Sequence, residues 1–151
     1  MMNSTGRNSI ARRTGWGALV SLALLAMCSC GSATKDTAAA KQAVVEFHSQ
    51  LDAGQYTALY EAADPKLRRI TTETDFTKLL DAVHRKLGTV RQSDMRTWNA
   101  AWYAGQGTTI TLTYNTTFSA GSGTEQFIWH VNDGRPLLYG YNINSADLIE
   151  K

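Results

Sequence analysis

The 151-residue sequence predicts an α+β fold: three N-terminal helices packed on a curved four-strand antiparallel sheet. Three observations carry that prediction. Apolar residues recur at three- and four-residue spacing from Ala40 to Leu87, the helical period. Beyond Gly88 the period drops to two. The alternating segments are punctuated by SAGSG and NDG, which suit hairpin turns. Helices first and strands afterwards is a segregated order, in which a sheet covers its apolar face with the helical layer.

In chain order, Ala40, Val44, Phe47 and Leu51 define helix one, and Gly54 stands where its C-terminal cap belongs. Tyr56, Leu59, Tyr60 and Ala63 define a shorter helix two, interrupted at Asp64-Pro65 because proline is tolerated only in a first helical turn. Thr72 and Asp75 resemble a capping box with Asp in place of Glu; Phe76, Leu79, Leu80, Val83 and Leu87 share one face of helix three, closed by Gly88. A less regular strand spans about Thr89 to Tyr103, as one bent strand or two. Ile110, Leu112, Tyr114, Thr116 and Phe118 alternate in the clearest strand; Phe127, Trp129 and Val131 follow in the third, and Leu137, Tyr139, Tyr141 and Ile143 in the fourth. Pro136 is acceptable as a first strand residue.

Length leaves room for one domain plus accessories. With 43% hydrophobic and 19% charged residues, the chain has the composition of a packed protein. Arg7, Arg12 and Arg13 precede every acidic residue, so the 15 basic residues of the chain become 12 against 13 acidic once the leader is set aside, net −1. The field that attracts a polyanion is therefore missing, which argues against nucleic-acid binding.

The leader itself is informative. A basic, acid-free Met1–Arg13 precedes the apolar run TGWGALVSLALLAM, which is secretory-signal architecture and shorter than the ~20 residues a spanning helix needs. The run ends in LLAMCSCGS, which resembles a bacterial lipobox, where a cysteine receives diacylglycerol and becomes the new N-terminus. Met27-Cys28-Ser29 before Cys30 puts a small residue at the cut, so Cys30 is the expected lipidation site. Cys28, with the bulky Met27 beside it, is the alternative. The Arg12-Arg13 pair is poorly followed for a twin-arginine signal. The expected organisation is a signal peptide over residues 1–29 (1–27 if Cys28 is lipidated), a small polar tether over 30–40, and a single domain over 41–151 with no disulfide.

Three stretches, FHSQLDAGQYTALYEAA, HRKLGTV and DGRPLLYGYNI, stand in an order and spacing that resembles small bacterial envelope lipoproteins of unknown function with a cystatin-like, nuclear-transport-factor-2-like domain. The matching residues are Asp52, Gly54 and Tyr56; then Arg85, Leu87 and Gly88, with one residue fewer than the family pattern; then Asp133, Gly134, Gly140 and Tyr141, with Pro136 where the family usually has Trp. The resemblance implies a cone-shaped fold and carries no catalytic residues.

Chemistry-bearing residues are sparse. His48, His84 and His130 are too far apart for a local zinc signature, and no metal or cofactor is expected. His48 and His84 read as boundary or surface residues. His130, out of phase with Trp129, is a weak catalytic candidate that enters the cavity only if the strand register is reversed. Tyr56, Tyr60, Tyr114, Phe118, Phe127, Trp129, Tyr139 and Tyr141 either fill the core or line a pocket. Lys66, Arg68 and Arg69 read as a solvated face, and neither GSG nor GQG opens a phosphate-binding helix.

The sequence thus favours a lipid-anchored, periplasm-facing envelope protein that binds a protein partner or small apolar ligand without transforming it. Its rivals are a proton-transfer enzyme, an isomerase or dehydratase, using His130, Asp52 or Asp64, and an element that homodimerises through its sheet. An enzyme calls for a closed cavity with a buried carboxylate or histidine; a dimer calls for apolar residues such as Trp102, Ile128 and Leu138 on the outer sheet face.

Overall fold

The computed structural model describes residues 31–103 and 107–150. Over these the fold is α+β, with a four-strand antiparallel sheet in the order β1-β2-β3-β4 and helices packed on one face. The elements are α1 (Gly31–Asp52), α2 (Tyr56–Glu61), α3 (Pro65–Ile70), α4 (Glu73–Leu87), β1 (Val90–Tyr103), β2 (Gly107–Phe118), β3 (Ser122–Asn132), β4 (Arg135–Asn144) and α5 (Ala146–Glu150). Four described helices precede the sheet instead of three. Asp64-Pro65 stops α2 and at once starts α3: the Asp64 carboxylate accepts from Lys66 N at 2.6 Å, and Pro65 takes the first helical position, where its missing N–H costs nothing.

The segment read as a tether is helical from Gly31, with Ala40 and Thr37 buried one and two turns ahead of Val44. Its alanines and its in-phase small residues favour that extension. The signal peptide, Cys28, Cys30 and the turn residue Gly105 lie outside the described residues.

Helix α4 begins as expected at Thr72, whose Oγ1 accepts from Asp75 N at 3.1 Å. The Asp75 carboxylate in turn accepts from the Thr72 hydroxyl at 2.7 Å. At the other end Gly88 (φ +83°) lets the chain turn into β1, and a side chain there would collide with Ser119 Oγ, which holds Thr89 N.

Strand phase decides the core. Ile110, Leu112, Tyr114, Thr116 and Phe118 of β2 are all buried, and so are Phe127, Trp129 and Val131 of β3, against Val44, Phe47, Leu51, Leu80 and Leu87 from the helices. The third hairpin turns through Asp133 (φ +50°) and Gly134 (φ +73°), the two positive values a type I′ turn requires. In β4 the expected alternation fails. Ile128 pairs with Gly140 and Trp129 with Leu138, so Tyr139 is an extra residue, a bulge. Leu138 and Tyr141 both face the helices as a result, whereas Leu137 and Tyr139 do not join the core. β1 is one strand bent by two bulges, at Arg91 and Arg96.

Replacing Gly88 with alanine must strain the backbone and displace Ser119, so Gly88→Ala is expected to lower stability by about 2 kcal/mol in urea denaturation.

Candidate functional site

Three polar residues sit in phase with the apolar faces and are carried into the core. Glu125 precedes Phe127 and Trp129 by steps of two, Thr116 lies between Tyr114 and Phe118 on the same face, and His48 follows Val44 by one helical turn. In the structure they meet. Glu125 is fully buried (0% exposed). Its Oε1 accepts from the Tyr141 hydroxyl at 2.7 Å; its Oε2 lies 2.8 Å from His48 Nε2 and accepts from Thr116 Oγ1. Because Thr116 donates to the carboxylate, its oxygen is left to accept from Ser93 Oγ at 3.0 Å. The network therefore joins α1 to all four strands.

A carboxylate taken out of water costs several kcal/mol unless its lone pairs are satisfied, and here both oxygens have partners. Burial and the adjacent Glu125 carboxylate push the Tyr141 hydroxyl well above its ordinary value. The surrounding wall is aromatic: Phe47 packs on Phe127 at 5.1 Å and on Tyr141 at 4.8 Å, and His48 stands edge-on to Phe127 at 5.6 Å. His48, read from sequence as a boundary residue, is buried.

The other sequence candidates are engaged elsewhere. With Phe127 and Trp129 facing the helices, His130 falls on the opposite face; its Nδ1 is 3.0 Å from Asp64 Oδ2 and its ring stacks on Tyr139 at 4.1 Å. Asp64 also ties α3 to the free edge of β4, through its amide and Leu138 O at 2.9 Å. Asp52 accepts from Val90 N with both oxygens, fixing the start of β1 to the end of α1. Tyr56 bonds His84 Nδ1 at 2.8 Å, and Tyr60 donates to the carbonyls of Arg68 and Thr71 at the end of α3. Of the eight aromatic pocket candidates, Tyr114, Phe118, Phe127 and Tyr141 are core, and Tyr56 and Tyr60 brace the helices against it.

Trp129 has a second surface. It contributes to a groove of about 430 Å³ between α1, α2 and the β3–β4 hairpin, shared with Phe47, Leu59 and Leu138, with Glu46 and Gln50 on one rim and Arg135 on the other. Trp129 is only 5% exposed, yet its indole Nε1 is buried without a hydrogen-bond partner. Such an N–H costs free energy until something accepts from it. Sequence reasoning missed this groove because four separate segments build it.

Among the described residues, no group of three His, Cys, Asp or Glu side chains is placed to hold a metal ion, and no helix is long and apolar enough to cross a membrane. Across β1 and β2 the outer sheet face is polar, with Thr97, Asn99, Thr109, Thr111 and Thr113, whereas across β3 and β4 it carries Ile128, His130, Leu137 and Tyr139, all partly buried. Leu138 is core and Trp102 projects to the helix-facing side, where its partner Thr108 bonds α1.

Fold and site together describe a small α+β domain with a buried carboxylate clasp and an open amphipathic groove. The family model that matches, over residues 40–141, is that of a protein of unknown function (DUF4019), and the chain belongs to this family. Among curated proteins no sequence matches it.

Removing the clasp carboxylate strands His48, Thr116 and Tyr141, so Glu125→Ala should cost about 3 kcal/mol or more in chemical denaturation. Alkaline pH supplies a second readout. The folded chain retains the Tyr141 proton above 10.0, where an unfolded tyrosine releases it, so stability falls as pH rises past that value. Tyr141→Phe should flatten this fall in pH-dependent melts, incompletely, because burial also raises Tyr114 and Tyr56.

Proposed function

We propose that the chain is a bacterial envelope lipoprotein, anchored through Cys30 (alternative Cys28) and facing the periplasm, whose domain holds a ligand non-catalytically in the groove beside Trp129. The observation that carries the binding reading is the groove itself, with an apolar floor of Phe47, Leu59, Trp129 and Leu138 and polar groups from Glu46, Gln50 and Arg135 beside it. A volume of about 430 Å³ falls within the ~300–1,000 Å³ range of small-molecule sites. The ligand that fits has an apolar body against Phe47, Leu59 and Leu138 and polar groups for Glu46, Gln50 and Arg135. A partner protein's apolar side chain flanked by polar groups presents the same chemistry.

The anchoring part of the reading rests on the sequence: a basic leader, a short apolar run and a terminal cysteine pair. The finer fold assignment, a cystatin-like, nuclear-transport-factor-2-like domain, is supported by the order of helices followed by an antiparallel β1-β2-β3-β4 meander.

The rival is a proton-transfer enzyme, and Glu125 with His48 is the chemistry it needs. Against it, Glu125 is fully buried and both its oxygens are bonded within the protein. The acid–base alternatives His130, Asp52 and Asp64 are likewise committed to holding elements together. Dimerisation through the sheet finds threonines and an asparagine across β1 and β2 where it needs an apolar face, and the apolar residues of β3 and β4 there, Ile128, Leu137 and Tyr139, are partly buried within the chain.

Anilinonaphthalene sulfonate, a fluorescent apolar ring system carrying acceptor oxygens, is the direct probe. It should bind the folded protein with enhanced emission. Ala62→Trp, which fills the groove from an exposed position on its wall, should abolish that binding; Arg135→Ala should weaken it severalfold by removing the cation that faces the sulfonate. Unchanged binding by both variants, with melting temperatures retained, would overturn the binding reading.

A further inference from the structure

The free end of β1 carries aromatic rings that the helical layer leaves uncovered. Trp98 pairs with Leu112 and Trp102 with Thr108, so both project to the helix-facing side of the sheet. Trp98 is nevertheless 54% exposed and Trp102 72%. The first turns of α1 run alongside: Thr34, Thr37, Ala38 and Lys41 form a shallow groove with Trp98. Thr108, the partner of Trp102, donates to Asp36 Oδ2 at 3.1 Å. The start of α1 and the end of β1 are therefore bolted together as one corner.

Asp36 lies five residues from Gly31, about 7.5 Å along the axis at a helical rise of 1.5 Å. The chain is helical from Gly31, directly after Cys30, so a lipid on that cysteine leaves no slack to hold this corner away from a bilayer. Tryptophan and tyrosine, apolar plates with a polar edge, concentrate at the interface between hydrocarbon and water. Lys35 and Lys41, both exposed on the same stretch of α1, can lay their stems along the apolar surface and present ammonium groups to lipid phosphates.

We propose that this corner is a bilayer-contacting surface: Trp98 and Trp102 enter the headgroup region of the phospholipid membrane to which the chain is anchored. The inference rests on the lipoprotein reading and deepens it, since the domain is then docked on the membrane in a fixed orientation instead of hanging from a tether. A second copy of the chain is the less suitable occupant. Bulges at Arg91 and Arg96 restrict the regular free edge of β1 to Thr97–Tyr103, a short stretch for strand addition by a second copy, and bulges and charge discourage its extension.

The test uses full-length protein expressed with its leader, purified from membranes and reconstituted into phosphatidylcholine–phosphatidylglycerol vesicles with plain or brominated acyl chains. Bromine quenches indole emission only on near contact. Three tryptophans follow Cys30, and Trp129 is buried as an internal reference. Emission should drop in brominated vesicles, and Trp98→Phe/Trp102→Phe protein should remain vesicle-bound while losing most of that drop. Equal emission from vesicle-bound wild type in both lipids would overturn the corner and leave the anchor standing. Failure of the wild type to float with vesicles would overturn both. A detergent-stable dimer that the double substitution dissociates would assign the corner to a second copy and overturn the proposal.

Discussion

The Glu125 carboxylate is the point on which the two layers depend. An acid without water needs donors, and the donors come from elements far apart in the chain: His48 on α1, Thr116 on β2 and Tyr141 on β4, with Ser93 of β1 behind Thr116. Each donor is useful only if its own element is in register. The hydrophobic contacts around them would tolerate sliding, since apolar packing is not directional. The hydrogen bonds do not tolerate it. Helix α1 is thereby held at one position over the sheet, and the Asp52 carboxylate on Val90 N repeats the constraint at the helix end.

That placement also explains why an open groove exists where it does. With α1 fixed at His48, its neighbouring face, Glu46 and Gln50 with Ala43, overhangs the β3–β4 hairpin. Helix α2 closes the far side through Leu59 and Ala62, and Asp64 then draws α3 to the edge of β4. The groove is the space these commitments leave, and Trp129 is the side chain common to groove and core. The polar groups of the clasp sit deep and satisfied; the one unsatisfied buried side-chain donor among the described residues belongs to Trp129, the side chain common to groove and core.

Much of this was legible in the sequence, for reasons that differ by element. β2 declared itself because five in-phase residues sit among threonines and an asparagine, and all five are buried. The Thr72 cap, the Gly88 terminus and the Asp133-Gly134 turn are local chemistry and stand where their residues put them. Helix α3 was signalled by Asp64-Pro65, a cap followed by a first-turn proline, read instead as an interruption. The clasp had a signal as well: Glu125, Thr116 and His48 each occupy an inward phase, and a polar residue in phase with an apolar face has to find partners. Their meeting was not legible, because it depends on which helix lies over which strand. The helical start at Gly31 was masked by small polar residues that resemble a linker.

The bulge at Tyr139 gives β4 an unusual kind of rigidity, one of parity. Strict alternation allows Leu138 or Tyr141 to look inward, never both, and the extra residue between them reconciles a hydrophobic plug with a hydroxyl for the carboxylate. Loss of any single residue from this strand would swap inside for outside along everything beyond it, so length changes here can be accommodated only in twos.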